Sequence, residues 1–176
     1  MSISIQLKTP RLTLVGADEV ILDAAIEGRN ALQGALGVQV PSDWPPEHLD
    51  SAALEWMKIT LKKLPREAPW RMYIVLLDAS PRVAIGTCGF KGPPDANAGV
   101  EIGYSVLPAF RRNGYATEAS RALIEVAFSQ RATQVAAETY PELVPSIGVM
   151  KKCGMVRCGA GSEAGTFRYR VFARGA

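Results

Sequence analysis

The sequence predicts an α+β fold on a central, twisted, mixed but mostly antiparallel sheet of about six to seven strands, with helices on both faces. Three observations predict it. Segments 71–78 and 82–90 are rich in β-branched and aromatic residues and lead into a third strand, 98–106, as a meander. A strand at Val135 to Tyr140 returns after a helical stretch at 114–129, a strand-helix-strand crossover and hence a parallel pair. Segments 155–161 and 166–173 flank Ser162 to Gly165 as a closing hairpin.

Taken in order, residues 5–15 alternate as one strand, and 18–36 hold one or two short helices broken around Gly28, Gly34 and Gly37. VPSDWPP at 40–46 is a loop by composition, with Ser42 or Asp43 available as local caps. The next helix gathers Leu49, Ala52, Ala53, Trp56, Ile59 and Leu64 on a broad apolar face and ends before Pro65. The 71–78 strand is apolar enough for burial on both faces, and Ala79 to Pro81 turn the chain into 82–90. Gly92, Pro93, Pro94, Asp95 and Asn97 make a second loop. Val100, Ile102, Tyr104 and Val106 then alternate with Glu101, Gly103 and Ser105 until Pro108, which has no amide donor, ends the strand. Beyond it Ala116, Ala119, Leu123 and Val126 recur at helical spacing, so a helix starts close to Gly114. A last helix from about Val144 to Cys153 stops at Gly154, a left-handed cap.

The junction of the 98–106 strand and the following helix carries R-x-x-G-x-A at Arg111, Gly114 and Ala116. A helix start offers amide donors without intrahelical partners and a partial positive charge, which suits phosphate. Gly114, with no Cβ, lets a diphosphate approach the amides of Arg112, Asn113, Gly114, Tyr115, Ala116 and Thr117, and Arg111 and Arg112 add charge. A Walker loop needs Gly-Lys before Ser or Thr, and a dinucleotide fingerprint needs its run of glycines; neither is present.

At these residues the chain resembles the GNAT superfamily of N-acetyltransferases, whose Q/R-x-x-G-x-G/A loop grips the pyrophosphate of acetyl-coenzyme A. EIGYSVLPAFRRNGYATEA, residues 101–119, is similar to the branch containing the bacterial ribosomal-protein N-terminal (alanine) acetyltransferases. PELVPSIGVMKKCGM, Pro141 to Met155, resembles that branch's Asn-x-Ala-Ser helix and Lys-x-Gly-Phe segment, and TPRLTL at Thr9 to Leu14 its first strand. The resemblance covers nearly the whole chain and implies a single N-acetyltransferase domain over 1–176. It also implies a parallel pair splayed at the cofactor site, acetyl-coenzyme A as co-substrate, no metal, and direct attack on the thioester by a primary amine, from a protein N-terminus or a small molecule.

That chemistry has three tasks: the amine loses a proton, the developing oxyanion meets a donor, and the departing thiolate is protonated or stabilised. The resemblance places Tyr104, Ser105, Val106 and Leu107 along the pantetheine arm, with a Tyr104 or Ser105 amide as oxyanion donor. Glu101 and Glu138 are the candidate proton acceptors; the competing readings are a solvated strand face and a water chain with no single base. For the thiolate, the family's Tyr position is occupied by Met150, while Ser146 matches the Ser of Asn-x-Ala-Ser and could alternatively cap its helix. Leu143 stands where the branch has Asn, or Val144 in a shifted register. These departures keep a second reading open, a non-catalytic acyl-coenzyme A binding protein.

Composition narrows the partners. The 176 residues, 48% of them apolar, suit one domain. A net charge of +3, with basic residues scattered, argues against nucleic acid. No apolar run approaches the roughly 18 residues of a membrane span, and MSISIQLKTPR has no signal-peptide core, which reads as cytoplasmic. Cys88, Cys153 and Cys158 lack metal spacing and read as reduced, mostly packed thiols, and His48 is the only histidine, so zinc or a His-based triad is not expected. Trp44, Trp56, Trp70 and Tyr73 are candidates to line an acceptor groove, with Asp43, Glu47, Asp50, Glu101 and Glu163 to attract a cationic amine. Self-association as a homodimer through the last hairpin or an edge strand is a further expectation.

Overall fold

The computed structural model describes residues 5–65 and 68–173; the first four residues of the alternating N-terminus lie outside them. Its strands are β1 (Gln6–Lys8), β2 (Leu12–Gly16), β3 (Met72–Leu77), β4 (Val83–Phe90), β5 (Gly99–Val106), β6 (Gln134–Thr139), β7 (Val156–Ala160) and β8 (Phe167–Phe172). The helices are α1 (Glu19–Glu27), α2 (Arg29–Leu36), α3 (Ser51–Leu61), α4 (Tyr115–Ser129) and α5 (Val144–Lys152). The sheet order is β1-β2-β3-β4-β5-β6-β8-β7, eight strands rather than the six to seven expected. The difference arises at the N-terminus, where Thr9 to Arg11 turn the chain and Thr9 N–H donates to Leu12 O at 3.0 Å. Pro10, which cannot donate to a ladder, sits in that turn, so the expected single strand is two antiparallel ones.

Period two divides the side chains between two cores. Tyr73 and Val75 of β3 pack with Ile85, Ile102 and Val135 under Leu123 and Ala127 of α4 and Met150 of α5. Met72, Ile74 and Leu76 point the other way, against Ile21 and Leu22 of α1, Leu32 of α2 and Leu54 of α3. Burying both faces explains the near-continuous apolar run of β3.

Four details of the helical half depart from expectation. Gly28 breaks α1 from α2 and Gly37 caps α2 in a left-handed conformation, but Gly34 lies inside α2. The N-cap of α3 is Asp50, whose carboxylate accepts from Ala53 N–H at 2.8 Å, instead of Ser42 or Asp43. The helix packs inward through Leu54, Met57 and Leu61. Trp56 and Ile59, placed on the buried face by the sequence, are more than half exposed, and Leu49 precedes the helix. With apolar residues on most sides of a short helix, docking chose the face, and composition could not.

The feature that positions the site is the β5–β6 pair. It is parallel and hydrogen-bonded only over Gly99 to Glu101 against Gln134 to Ala136. From there β5 stays with β4, and β6 with β8, so a gap opens between them toward the C-terminal end of β5. Gly86 of β4 makes the close approach on the other side possible: a Cβ there would lie 2.2 Å from Ser105 O.

Candidate active site

Antiparallel alternation decides which β5 backbone groups face the gap. Lys91 N–H donates to Glu101 O and Leu107 N–H to Ile85 O, so Glu101, Gly103, Ser105 and Leu107 spend their polar groups on β4 and its extension. Tyr104 and Val106 point theirs into the gap. Of the two amides suggested as oxyanion donors, Tyr104 therefore faces the gap, whereas Ser105 is committed to the ladder opposite Thr87.

At the wide end of the gap, a short 3-10 turn, Pro108–Phe110, leads into the Arg111 to Gly114 loop and α4. Gly114, at φ 81°, is the residue before the helix, and no side chain caps it. The amides of Arg112 to Thr117 have no acceptor among the described residues, and the first intrahelical-type bond is Glu118 N–H to Gly114 O at 3.0 Å. This run of donors on a helix start fits a diphosphate. Arg112 and Asn113 are exposed beside it, whereas Arg111 turns back: its Nε donates to Val106 O at 2.9 Å and its Nη2 pairs with Glu47 at 3.0 Å. Arg111 is a strut between loop and strand as well as a charge.

The loop has a brace that sequence reasoning missed. Glu118 in the first turn of α4 accepts from Thr9 Oγ1 at 2.6 Å, Arg11 N at 2.9 Å and Arg11 Nε at 2.7 Å. Arg11 also donates to Asn113 O at 3.0 Å and lies over the Tyr115 ring. Burial pushes the Glu118 carboxyl up, but these hydrogen bonds and the Arg11 charge more than offset it and hold it below the usual range. The signal was present in TPRLTL, read there as a strand alone. Arg11→Ala is expected to weaken acetyl-coenzyme A binding about tenfold, roughly 1.4 kcal/mol, by freeing the Asn113 carbonyl, with a calorimetric titration as the check.

Across the narrow part of the gap, Tyr104 reaches from β5 to α5. Its hydroxyl donates to Ser146 O at 3.0 Å and lies 3.1 Å from Ser146 Oγ. The Ser146 hydroxyl makes no capping bond, so of its two readings the helix cap falls away. Burial pushes the Tyr104 hydroxyl up to about 12, only partly opposed by the Ser146 hydrogen bond. Met150, at the position the resemblance gives to a Tyr, is buried in the core.

On the opposite face of the sheet stand the carboxylates. Glu101 pairs with Lys91 through Oε1 and with Arg168 through Oε2 at 2.8 Å, and Glu138 pairs with Arg168 and accepts from Ser162. For Glu138 burial pulls upward, but Ser162 and Arg168 together hold the carboxyl below its usual range, which makes it a poor proton acceptor. Among the proposed acceptor-groove residues, Trp56 and Trp70 do line one cavity, with Met57, Leu61, Leu64 and Phe90. Trp44 and Tyr73 do not; both are core residues. His48 is exposed in the turn before α3; Cys88 is buried, Cys153 half-buried and Cys158 exposed, all free thiols. No helix among the described residues is long and apolar enough to cross a membrane.

A split parallel pair with an amide-lined helix start at its wide end is a place for an extended molecule that carries a diphosphate. Residues 29–156 match the acetyltransferase (GNAT) domain family, and the chain belongs to it. An uncharacterised N-acetyltransferase of Bacillus subtilis, YjdG, is 28% identical over 151 residues, 85% of this chain and 89% of that protein. Among solved structures, the ribosomal-protein-S5-alanine acetyltransferase of Vibrio fischeri superposes with a TM-score of 0.69 at 14% identity, covering 97% of this chain and 98% of that one. The microcin C7 self-immunity acetyltransferase MccE, solved with acetyl-CoA and AMP, gives 0.65 at 15% identity over 94% of each chain. At those identities the structures share the fold.

Proposed function

We propose that this acetyltransferase acts on a primary amine, a protein N-terminus or a small-molecule amine, by direct transfer from acetyl-coenzyme A. The observation that carries the reading is the division of groups about the gap. Hydroxyls of Tyr104 and Ser146 lie on one face and the Glu101 carboxylate on the other, with the Tyr104 amide between them. Proton removal and proton delivery thus have separate groups on opposite sides of one strand.

When bound, acetyl-coenzyme A supplies an acyl carbon activated as a thioester. The amides of Arg112 to Thr117 hold its diphosphate, and the gap-facing backbone of Tyr104 and Val106 pairs with its pantetheine arm as an added strand. Ser105 and Leu107 support that edge from the β4 side. Glu101 takes the amine's proton directly or through water, the Tyr104 amide stabilises charge on the carbonyl oxygen, and the Tyr104 hydroxyl with Ser146 delivers a proton to the thiolate. The Bacillus subtilis relative named as an N-acetyltransferase supports transfer to nitrogen. The reading as a non-catalytic acyl-coenzyme A binder is not favoured, because both hydroxyls and a carboxylate are assembled at the gap despite Leu143 and Met150.

Calorimetric titration with acetyl-coenzyme A, followed by thiol release and product mass with an amine panel that includes an alanine-initiated hexapeptide and a polyamine, tests this. Saturable binding with an acetylated product is the expected result. Binding without turnover on any panel member would overturn the amine reading.

A further inference from the structure

The final hairpin sends one side chain into the mouth of the gap. Arg168 of β8 lies opposite Glu138 of β6, and its Nη1 contacts both Glu138 Oε1 and, at 2.8 Å, Glu101 Oε2 of β5. The ladder between β5 and β6 ends at Glu101 and Ala136, so this guanidinium spans the strands where their own hydrogen bonds stop. The side chains are withdrawn from solvent, Glu138 being 5% exposed, Glu101 18% and Arg168 33%. Ser162 N–H and Oγ donate to Glu138 at 2.9 and 2.8 Å, which ties the hairpin loop to the same carboxylate. The loop approaches closely there: a Cβ on Gly161 would lie 2.6 Å from Glu138 Oε2.

Two carboxylates that share one guanidinium nitrogen repel each other once it is removed. Of the charged groups around them, Lys91, past the end of β4, meets only Glu101, and Asp95 in the loop before β5 adds a weaker negative charge toward Arg168. Neither bridges Glu101 to Glu138. The cross-strand contact is therefore Arg168's alone among the described residues.

We propose that Arg168 is a positioning residue for acetyl transfer: by bridging Glu101 to Glu138 where the parallel strands part, it fixes the Glu101 carboxylate toward the acceptor amine and sets the width of the mouth. The inference rests on the proposed amine acetyltransferase reading, with Glu101 as proton acceptor. Without Arg168, which helps hold the Glu138 carboxyl low, Glu138 binds a proton more tightly when folded, so the variant's stability deficit is largest at alkaline pH and shrinks as pH falls toward the ordinary carboxylate range.

The test compares Arg168→Gln, Arg168→Lys and the double variant Arg168→Gln with Glu138→Gln. Thermal midpoints are read between about pH 3.5 and pH 9. Coenzyme A release with the alanine-initiated hexapeptide is read over the same range. Arg168→Gln is expected to lose about tenfold or more in kcat, with acetyl-coenzyme A affinity within about twofold of wild type. Arg168→Lys recovers part of the loss. The double variant recovers the alkaline midpoint. An undiminished kcat in Arg168→Gln, a kcat loss matched by weaker acetyl-coenzyme A binding, or a midpoint deficit equal at both ends of the range would overturn the proposal. A wild-type protein that leaves the peptide unacetylated counts against the acceptor reading alone, and the pH-dependent midpoints then uphold or overturn the Arg168 clamp by themselves.

Discussion

Gly114→Asp is expected to weaken acetyl-coenzyme A binding by about 100-fold or more, about 2.7 kcal/mol, while leaving the protein folded. The argument compares two magnitudes. At φ 81° a side chain is strained, but Asp is among the residues that visit this region, at a cost of roughly 1–2 kcal/mol. A negative charge at the start of α4 returns about 0.3–1 kcal/mol through the helix dipole, so the net effect on folding is small. A Cβ at Gly114 also meets only Arg11 Nη2, at 3.4 Å, which is ordinary contact. For binding, the same charge sits against the diphosphate, and a unit-charge repulsion at about 4 Å is worth roughly 4 kcal/mol at an effective dielectric of 20. Repulsion dominates. Titrations with acetyl-coenzyme A, free coenzyme A and adenosine diphosphate should weaken together, since all carry the diphosphate, and a circular-dichroism melt should stay near wild type. A folded variant that binds all three as tightly as wild type would sink the loop assignment.

That loop could be read from sequence because it is a main-chain device. A change of period from two to 3.6 at a glycine is sufficient to announce a strand end, a turn and a helix start, and no distant residue has to be known. Alternation likewise announced β5, β-branched and aromatic content announced β3 and β4, and the turn at Ser162 to Gly165 announced the final hairpin. What escaped were contacts between residues remote in sequence. Arg11 and Glu118, or Glu101, Glu138 and Arg168, carry no shared period, and each looks locally like a charge on a solvated face. Tyr104 was legible as a strand residue and Ser146 as a helix residue, but only the packing of α5 across the gap brings their hydroxyls together. The helical half was the least legible. Trp44 sits in a Pro-rich loop yet is buried, and Trp56 sits on a helix yet is exposed, because short helices and loops choose their buried faces by docking.

Tyr104→Phe separates chemistry from cofactor binding most sharply. With the panel amine that turns over, kcat is expected to fall by about 100-fold, the lower range for loss of a general acid, with the acetyl-coenzyme A dissociation constant unchanged. The loss of one hydrogen bond to the half-buried first turn of α5 costs about 1 kcal/mol of stability, too little to account for such a fall. Ser146→Ala should cost less, because its hydroxyl acts on the Tyr104 hydroxyl, and the double variant should be little worse than Tyr104→Phe, since residues that act as one unit are not additive. The pH dependence gives an independent reading. Burial holds the Tyr104 hydroxyl up at about 12, so it keeps its proton through neutral and moderately alkaline pH. Wild-type kcat should therefore show no descending limb from this group below about pH 11. An undiminished kcat in Tyr104→Phe would move proton delivery elsewhere, and a fall in kcat matched by weaker cofactor binding would make Tyr104 a wall of the gap in place of an acid.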